Sequence, residues 1–403
     1  MGGTGRYDRA RFQSGLDTQD VSFTYDGHFI ATAAFVGPAN GTFTYRYDDH
    51  FDLVGYTRTG EVERVIARDE DGRRVADGPI GVVFPPGASR PTSAGDGTMN
   101  ATYTWGEFGA VSSKTLSVGA FTYRCDLGRD VVGSVTSVVE SGPATRARTF
   151  GYDRNHWLLS ETDGATRMFA YDVHGNLVSN GAEDIAHDED DHVLSVGATA
   201  VTVNADGMLT ARGTDTFDYS VHGDLLSATV GGVTQSYVYD AFRRRVAVVG
   251  AQTTTLLYGD VEQPHRLTHS AVVGGGPAGA SEYFYDPAGH LIALSRGGVR
   301  FYVATDHLGS PRYVVDAAGT VVKERRYDAW GRTVLDTAPA WDLPVGFAGG
   351  LHDPHTGWTT FWTREYDPSL GRFATMDPSL YQGRRANVFV YADNSPQSRV
   401  DPT

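Results

Sequence analysis

One short motif recurs along the 403-residue chain and limits what the chain can fold into. The motif is an aromatic residue, any residue, Tyr-Asp, two further residues, Gly, any residue and then Leu or another apolar residue. Neighbouring copies lie about 16–27 residues apart. This spacing is too short for a strand–helix–strand unit of roughly 30 residues and fits one β-hairpin. The clear copies contain Tyr171–Asp172, Tyr285–Asp286 and Tyr327–Asp328, and the weaker copies contain Tyr25, Tyr47, Cys125, Tyr152, Tyr219 and Tyr239.

Each copy has the properties of a strand followed by a tight turn. Residues i and i+2 share a strand face, so Phe121, Tyr123 and Cys125 are predicted to line one buried side. The motif Asp accepts backbone N–H groups at the turn, and the Gly supplies a positive φ. A single hairpin is marginal in water, whereas stacked hairpins protect each other's edges. We therefore predict an all-β fold, a continuous curled strip of antiparallel hairpins with almost no helix.

Composition agrees with this fold and excludes several classes of function. Of 403 residues 49 are Gly, well above the usual share of about 7%. The net charge of −15 argues against a nucleic-acid partner. A single cysteine, Cys125, excludes an intramolecular disulfide, and no apolar run approaches the roughly 18–20 residues of a membrane span. The first residues lack the apolar core of a signal peptide, which leaves export by another route or a piece of a longer chain, and we expect the second.

Three blocks near the C-terminus add a more specific pattern to the repeats. They run from Asp306 to Arg332, from Phe347 to Ser379 and from Asn387 to Thr403. Together with the Tyr-Asp copies they resemble the RHS/YD-repeat family, which includes bacterial polymorphic toxins, shells of insecticidal toxin complexes and the teneurin ectodomain. The blocks themselves resemble the RHS-associated core. The resemblance implies a repeat shell over residues 1–300 that forms part or all of a hollow cocoon, and a core over residues 301–403 that plugs it.

In that family the core cuts the chain just beyond itself, and the resemblance extends to particular residues here. Asp377 and Asp401 each precede Pro and lie 24 residues apart, and Arg364 lies 13 residues before Asp377. Asp-Pro is also an ordinary opening of a β-turn. By resemblance, Asp377 and Asp401 are the catalytic pair of a self-cleaving aspartyl endopeptidase and Arg364 supports them. Two adjacent carboxyls would share a proton, and an arginine could hold them through bidentate hydrogen bonds.

The sequence departs from the family pattern at the first Asp-Pro. The family has Gly after Asp-Pro-x, whereas this chain reads Asp-Pro-Ser-Leu from Asp377. At the second site the sequence stops at Thr403, before the corresponding position. The resemblance therefore implies that the cleaved bond and the toxic segment lie beyond this chain.

Other polar clusters are interpreted as turns, and we predict neither a metal nor another cofactor. His352, Asp353 and His355 could hint at a metal, but a turn with exposed histidines is favoured because further ligands are not evident. The acidic run from Asp188 to Asp191 lacks the Gly-turned loop of a calcium site and is interpreted as a solvated turn. The segment that begins Asp306–His307 is interpreted as a hairpin turn.

Two functions from different classes stay open. The first is a secreted or surface-exposed bacterial shell that encapsulates its own C-terminal toxin segment, with a secretion-system or shell protein as a further partner. The alternative is a non-enzymatic cell-surface adhesion scaffold that binds carbohydrate or protein. A stand-alone β-propeller is disfavoured because its blades need about 40 residues and four strands each.

Overall fold

The computed structural model describes residues 8–14, 17–378 and 387–401. Within these residues the chain forms 38 β-strands and four single-turn 3-10 segments, and no α-helix. None of the described residues belongs to a helix long and apolar enough to cross a membrane. The prediction of an all-β fold made of antiparallel hairpins is confirmed. The 3-10 segments are Glu107–Gly109, Pro277–Gly279, Phe347–Gly349 and Ala392–Asn394.

The first half of the strands form two sheets, and in each sheet consecutive strands are hydrogen-bonded neighbours. The smaller of these sheets is a pair, β17 (Ala170–Tyr171) and β18 (Leu177–Ser179). The first sheet contains, in chain order, β1 (Arg9–Ser14), β2 (Asp17–Asp26), β3 (Phe29–Val36), β4 (Gly41–Tyr47), β5 (Leu53–Arg58), β6 (Arg64–Arg68), β7 (Arg74–Asp77), β8 (Ile80–Val83), β9 (Ser93–Gly95), β10 (Met99–Trp105), β11 (Val111–Val118), β12 (Phe121–Arg129), β13 (Val135–Ser141), β14 (Arg146–Tyr152), β15 (Leu158–Asp163) and β16 (Ala165–Met168).

The remaining strands form a second long sheet and a small C-terminal sheet. The small sheet consists of β35 (Leu351–His352), β36 (Thr359–Phe361), β37 (Arg364–Asp367) and β38 (Arg372–Phe373). The long sheet contains β19 (Ile185–His187), β20 (Val193–Val196), β21 (Thr199–Val203), β22 (Leu209–Arg212), β23 (Asp215–Tyr219), β24 (Leu225–Val230), β25 (Val233–Tyr239), β26 (Arg245–Val249), β27 (Thr253–Leu257), β28 (His269–Val272), β29 (Ala280–Tyr285), β30 (Leu291–Arg296), β31 (Val299–Thr305), β32 (Pro311–Asp316), β33 (Val321–Tyr327) and β34 (Thr333–Asp336).

The chain divides into two compact units, each made of two chain segments. Unit 1 comprises Met1–Ala101 and Gln235–Tyr302. Unit 2 comprises Thr102–Thr234 and Val303–Thr403, and it contains the C-terminal sheet. The division of the chain into a shell over residues 1–300 and a core over residues 301–403 stays a prediction.

The Asp of the motif organises the hairpin turn in the way its position predicts. The Oδ1 atom of Asp172 accepts the backbone N–H groups of His174 and Asn176, both at 2.9 Å. The N–H of Gly175 closes the turn onto the Asp172 carbonyl at 3.2 Å, and the strand register shifts at Tyr171. Such a turn followed by a bulge is a standard short β-hairpin connection. The same pair of contacts recurs at Asp48, Asp69, Asp130, Asp153, Asp188, Asp240, Asp286, Asp306, Asp316 and Asp328.

The turn also occurs where the Tyr-Asp pair is absent. Asn204 and Ser220 accept the same two N–H groups through their side-chain oxygens. Because any short side chain with an oxygen acceptor can make these bonds, the structural repeat is more regular than the sequence motif.

In several copies the motif tyrosine connects its hairpin to an earlier one. The hydroxyl of Tyr171 donates to the carbonyl of Leu158 at 2.7 Å, and that of Tyr152 donates to the carbonyl of Val135 at 2.8 Å. In unit 1 the Tyr285 hydroxyl donates to the Leu267 carbonyl at 2.7 Å. Tyr285 is buried, whereas Tyr171 is only half-buried. The ring and the hydroxyl therefore both join neighbouring hairpins.

The predicted alternation of faces is confirmed in β12. Phe121, Tyr123 and Cys125 are all buried, while Thr122 and Arg124 between them are exposed. Cys125 stands where other copies have the motif tyrosine, and burial raises the pKa of its thiol to about 12. The thiol therefore stays protonated, and Cys125 acts as a small apolar core residue.

A buried ionic network joins several strands of unit 2. Glu140 accepts hydrogen bonds from Arg312 Nε and from the Tyr123 hydroxyl, each at 2.6 Å, and Arg148 Nη2 lies 3.9 Å from its other oxygen. Burial alone would raise the pKa of Glu140, but the attraction of Arg312 and Arg148 lowers it to about 2. The carboxylate is thus charged and paired inside the protein, which is the condition under which a buried ion is tolerated.

Candidate active site

The small C-terminal sheet supplies the arginine that the sequence singled out. Arg364 opens β37, opposite Phe361 in β36, and the left-handed Trp362 lies in the turn between them. The side chain points into the protein, since Arg364 is only 2% exposed. Its guanidinium carbon lies 3.6 Å from the centre of the Phe373 ring in β38, a close cation–π contact.

The guanidinium of Arg364 joins the two predicted catalytic carboxylates. Its Nη1 atom lies 3.6 Å from Asp377 Oδ2, and its Nη2 atom lies 3.6 Å from Asp401 Oδ1. These are ion-pair distances, slightly longer than hydrogen bonds, with one nitrogen facing each aspartate. The guanidinium therefore forms a bridge between the two carboxylates.

Backbone pairing within the C-terminal region fixes Asp377. The Phe373 N–H donates to the Phe389 carbonyl at 2.9 Å, and the Asp377 N–H donates to the Val388 carbonyl at 3.0 Å. Arg372 and Val390 form an isolated antiparallel bridge in the same stretch. The chain segment before Asp377 is thus paired with the segment that leads towards Asp401. Ser379 and Leu380, where the sequence departs from the family pattern, lie outside the described residues.

A cluster of aromatic rings packs beside Arg364. Tyr366 and Tyr391 have ring centres 4.2 Å apart, and the Tyr366 hydroxyl donates to the Trp330 carbonyl at 2.6 Å. Burial, and after it the charge of Asp401, raises the pKa of Tyr391 well above its usual value. Charges interact more strongly in such apolar surroundings than in water. The buried members of the cluster are Leu308, Tyr327, Phe347, Phe361, Tyr366, Phe373, Tyr391 and Ala392.

The two carboxylates differ in their access to solvent. The side chain of Asp377 is 21% exposed and that of Asp401 is 5% exposed. One aspartate is therefore within reach of water, whereas the other is enclosed by protein. Unequal environments around one shared cation are a physical basis for giving the two carboxyls different chemical tasks.

Other Asp-Pro pairs in the chain are turn caps. Asp286 Oδ1 accepts the N–H groups of Ala288 and His290 at 2.9 Å each, and Asp353 Oδ1 accepts that of His355 at 2.9 Å. Asp367 Oδ1 accepts the Ser369 N–H at 2.8 Å. These carboxylates have the structural role predicted for an Asp-Pro turn.

The histidines beside Asp353 do not have the exposure that the sequence predicted. His352 and His355 are half-buried, and His355 Nε2 lies 3.2 Å from the Ala228 carbonyl. Burial lowers the pKa of His352 to about 4. The turn itself is present, but the prediction of exposed rings is wrong because other residues of unit 2 cover the two histidines. In the described part of the chain no group of three or more His, Cys, Asp or Glu side chains is arranged to hold a metal ion.

The acidic run and the segment that begins Asp306–His307 are both hairpin turns, as predicted. Asp188 Oδ1 accepts the N–H groups of Asp190 and His192 at 3.0 and 2.8 Å, and Asp306 Oδ1 accepts those of Leu308 and Ser310. His307 has a further contact that the sequence did not suggest. Its Nε2 atom lies 2.8 Å from the carbonyl of Gln397, a residue close to Asp401 in the chain.

Comparison with known proteins agrees with the fold and names the family. The hairpins define a YD-repeat shell. The sequence model of the Teneurin YD-shell family matches residues 4–396, so the chain belongs to that family. It is 32% identical to Teneurin-1 of Gallus gallus over 269 residues, which cover 62% of this chain and 10% of that protein. It is 26% identical to Teneurin-4 of Mus musculus over 439 residues, covering 95% of this chain and 16% of that protein.

Solved structures of toxin-complex proteins share the fold. A crystal structure of TcdB2-TccC3 matches with a TM-score of 0.67 at 17% identity, covering 96% of this chain and 22% of that chain. A structure of TcdB2-TccC3 without its hypervariable C-terminal region matches with a TM-score of 0.65 at 16% identity, covering 96% and 21%. At these identities the likeness shows the fold alone. The chain spans roughly a tenth to a quarter of the length of the relatives and structures that it matches.

Proposed function

We propose that this chain is an encapsulating YD shell whose C-terminal core, residues 301–403, cuts its own polypeptide once, just beyond Asp401. The observation that carries this proposal is the guanidinium of Arg364 between the carboxylates of Asp377 and Asp401. An aspartate that only caps a turn, such as Asp286, accepts N–H groups of its own turn. That role does not need a buried arginine shared with a second aspartate.

The proposed reaction is the hydrolysis of one peptide bond by a pair of aspartates. Asp377, the more exposed carboxylate, removes a proton from a water molecule, whose oxygen then forms a bond to the scissile carbonyl carbon. Asp401 holds the shared proton and donates it to the carbonyl oxygen. Collapse of this intermediate breaks the C–N bond: the leaving amine takes the proton that Asp377 removed from water, and Asp401 regains a proton as the carbonyl re-forms. Arg364 orients the two carboxyls, and tethering of the bond in the same chain supplies proximity.

The family and the fold together support the proposed shell role. The proposed cargo is the chain's own segment downstream of the cut, a toxin in the bacterial members that the sequence resembles. A secretion-system or shell protein would be a further partner, and the protein would act outside a bacterium or at its surface. The structures of TcdB2-TccC3 support this proposal through their fold.

Self-cleavage is tested with the chain extended past Thr403 by a folded reporter protein. The parent should give two bands on a denaturing gel, one of them the shell. Asp377→Asn and Asp401→Asn should each leave one uncut band, because either change removes a carboxyl of the pair. Arg364→Ala should slow or abolish the cut. The matched control is Asp286→Asn, which changes a turn-capping Asp-Pro and should cut like the parent.

A second candidate function is a cell-surface scaffold without protease activity. It is favoured by the higher identity to teneurins, 32% for Teneurin-1 of Gallus gallus, than to the TcdB2-TccC3 structure at 17%. Its surface would bind carbohydrate or protein. If the parent, folded by its melting curve, stays in one band like Asp377→Asn, this scaffold becomes the preferred function.

A further inference from the structure

Two consecutive residues anchor the segment that carries Asp401. Gln397 is 1% exposed, and its Nε2 donates to the Ala329 carbonyl at 2.7 Å. The Gln397 carbonyl lies 2.8 Å from His307 Nε2, which must be the donor because a carbonyl only accepts. The side chain and the backbone of Gln397 are therefore both bound by turns that follow strands of unit 2.

Ser398 continues the anchor on the other side of the segment. Its hydroxyl oxygen accepts the N–H of Val135 at 2.8 Å and lies 3.1 Å from the Tyr152 hydroxyl. That tyrosine is a motif tyrosine and also donates to the Val135 carbonyl. The serine thus occupies the junction between two repeat hairpins.

The two residues between this anchor and Asp401 are more exposed than the anchor. Arg399 has a side chain that is 53% exposed and pairs with Asp393, and Val400 is 42% exposed. Asp401 is buried again beside Arg364. Three residues can span at most about 11 Å of extended chain, so the position of Ser398 limits where the Asp401 carboxylate can reach.

We propose that Gln397 is a positioning residue for Asp401, and that Gln397 and Ser398 make the cut depend on correctly folded repeat hairpins. This inference rests on the proposed self-cleavage. The anchor draws on separate parts of unit 2: Val135 begins β13, Tyr152 ends β14, and His307 and Ala329 lie in the turns after β31 and β33. The Ala329 N–H in turn donates to Glu161 in β15 at 3.0 Å.

The anchor couples the timing of the cut to the folding of the repeat hairpins. A core that could cut before its repeats had folded would release the downstream segment from an unfinished shell. Because the carboxylate pair is completed only when Asp401 arrives, anchoring its segment to several hairpins delays completion until those hairpins are in place. A displacement of about 1 Å at a reacting group can cost roughly 100-fold in rate.

The test follows the first-order rate of cutting in chains extended past Thr403 by a reporter, dissolved in urea and diluted into buffers from about pH 5 to 8. Gln397→Ala should cut roughly 10–100-fold more slowly than the parent at every pH. Gln397→Glu should match Gln397→Ala near pH 8, where a carboxylate cannot donate to Ala329. Towards pH 5 it should recover, because a protonated, buried carboxyl donates again. The rate is divided by the parent rate at each pH, which cancels titration of the aspartate pair.

Arg399→Ala is the matched control, because it removes an exposed side chain from the same segment. It should cut at the parent rate, and melting curves should show every variant folded. If the parent cuts while Gln397→Ala keeps its rate, the positioning role is wrong although self-cleavage stands. A Gln397→Glu variant that stays as slow as Gln397→Ala at every pH would also overturn it. If the parent itself stays uncut, the proposed function has failed.

Discussion

At the scale of single residues, the motif tyrosine has two separable contributions. Its ring fills the space between hairpins, as for Tyr285, which is 7% exposed. Its hydroxyl then satisfies a carbonyl of an earlier hairpin, here that of the buried Leu267. A phenylalanine would fill the space between hairpins but would have no hydroxyl to donate. Where the hydroxyl makes this bond, Tyr is favoured over Phe, since a buried backbone carbonyl needs a donor.

Substitution of Tyr285 separates the two contributions. Tyr285→Phe removes only the hydroxyl and should lower the free energy of unfolding by about 1 kcal/mol. Tyr285→Ala also removes the ring and should cost roughly 3–5 kcal/mol. Urea unfolding followed by tryptophan fluorescence measures both. Equal losses for the two variants would mean that the ring contributes nothing, contrary to its burial.

At the scale of one hairpin, the turn Gly has the same conformation in different surroundings. Gly133 has a φ of +91° and Gly331 a φ of +90°, and both close an Asp-x-x-Gly turn. A Cβ added to Gly133 would meet nothing within 4 Å, whereas one added to Gly331 would lie 2.3 Å from Phe347 Cδ1. Phe347 belongs to the aromatic cluster beside Arg364. The repeat turn after β33 therefore also packs the candidate active site.

The pair of glycines gives a matched prediction. Gly133→Ala meets only the backbone cost of a left-handed residue, about 1–2 kcal/mol of unfolding free energy. Gly331→Ala adds the displacement of Phe347 and should cost roughly 1–3 kcal/mol more. Denaturant unfolding of the two variants and the parent checks the difference. Equal losses would show that the Phe347 ring moves aside freely.

The hairpins were predictable from the sequence because each one is a local structure. The oxygen of Asp172 and the N–H groups it binds lie within four residues, so the pattern is visible in a short window. Arg364, Asp377 and Asp401 were found through the family resemblance and not from their chemistry. The proposed role of Gln397 was not predicted from the sequence, because its partner Ala329 lies 68 residues away. Contacts of that kind depend on how the strands assemble, which no local pattern records.

At the scale of the whole molecule, buried ions make stability depend on pH. Glu140 is 3% exposed and its folded pKa is lowered to about 2 by Arg312 and Arg148, against the burial that opposes it. A carboxyl with a lowered folded pKa stabilises the folded state above its unfolded pKa, near 4.5, and loses that contribution as the pH falls towards 2. Glu161 acts in the opposite sense, because burial raises its pKa.

Replacement of Glu140 should therefore flatten the acid side of the stability profile. The parent should lose on the order of 3 kcal/mol of unfolding free energy from this group between about pH 5 and pH 2. Glu140→Gln should be less stable than the parent at neutral pH, since Arg312 then faces a neutral amide, and the gap should close as the pH falls. Glu189→Gln, in an exposed turn, is the control and should follow the parent at every pH. Urea unfolding at a series of pH values measures the difference between parent and variant. A gap that stays constant from neutral to acid pH would mean that the Glu140 carboxylate gains nothing from its arginines, and that the tyrosine and backbone contacts alone hold these strands together.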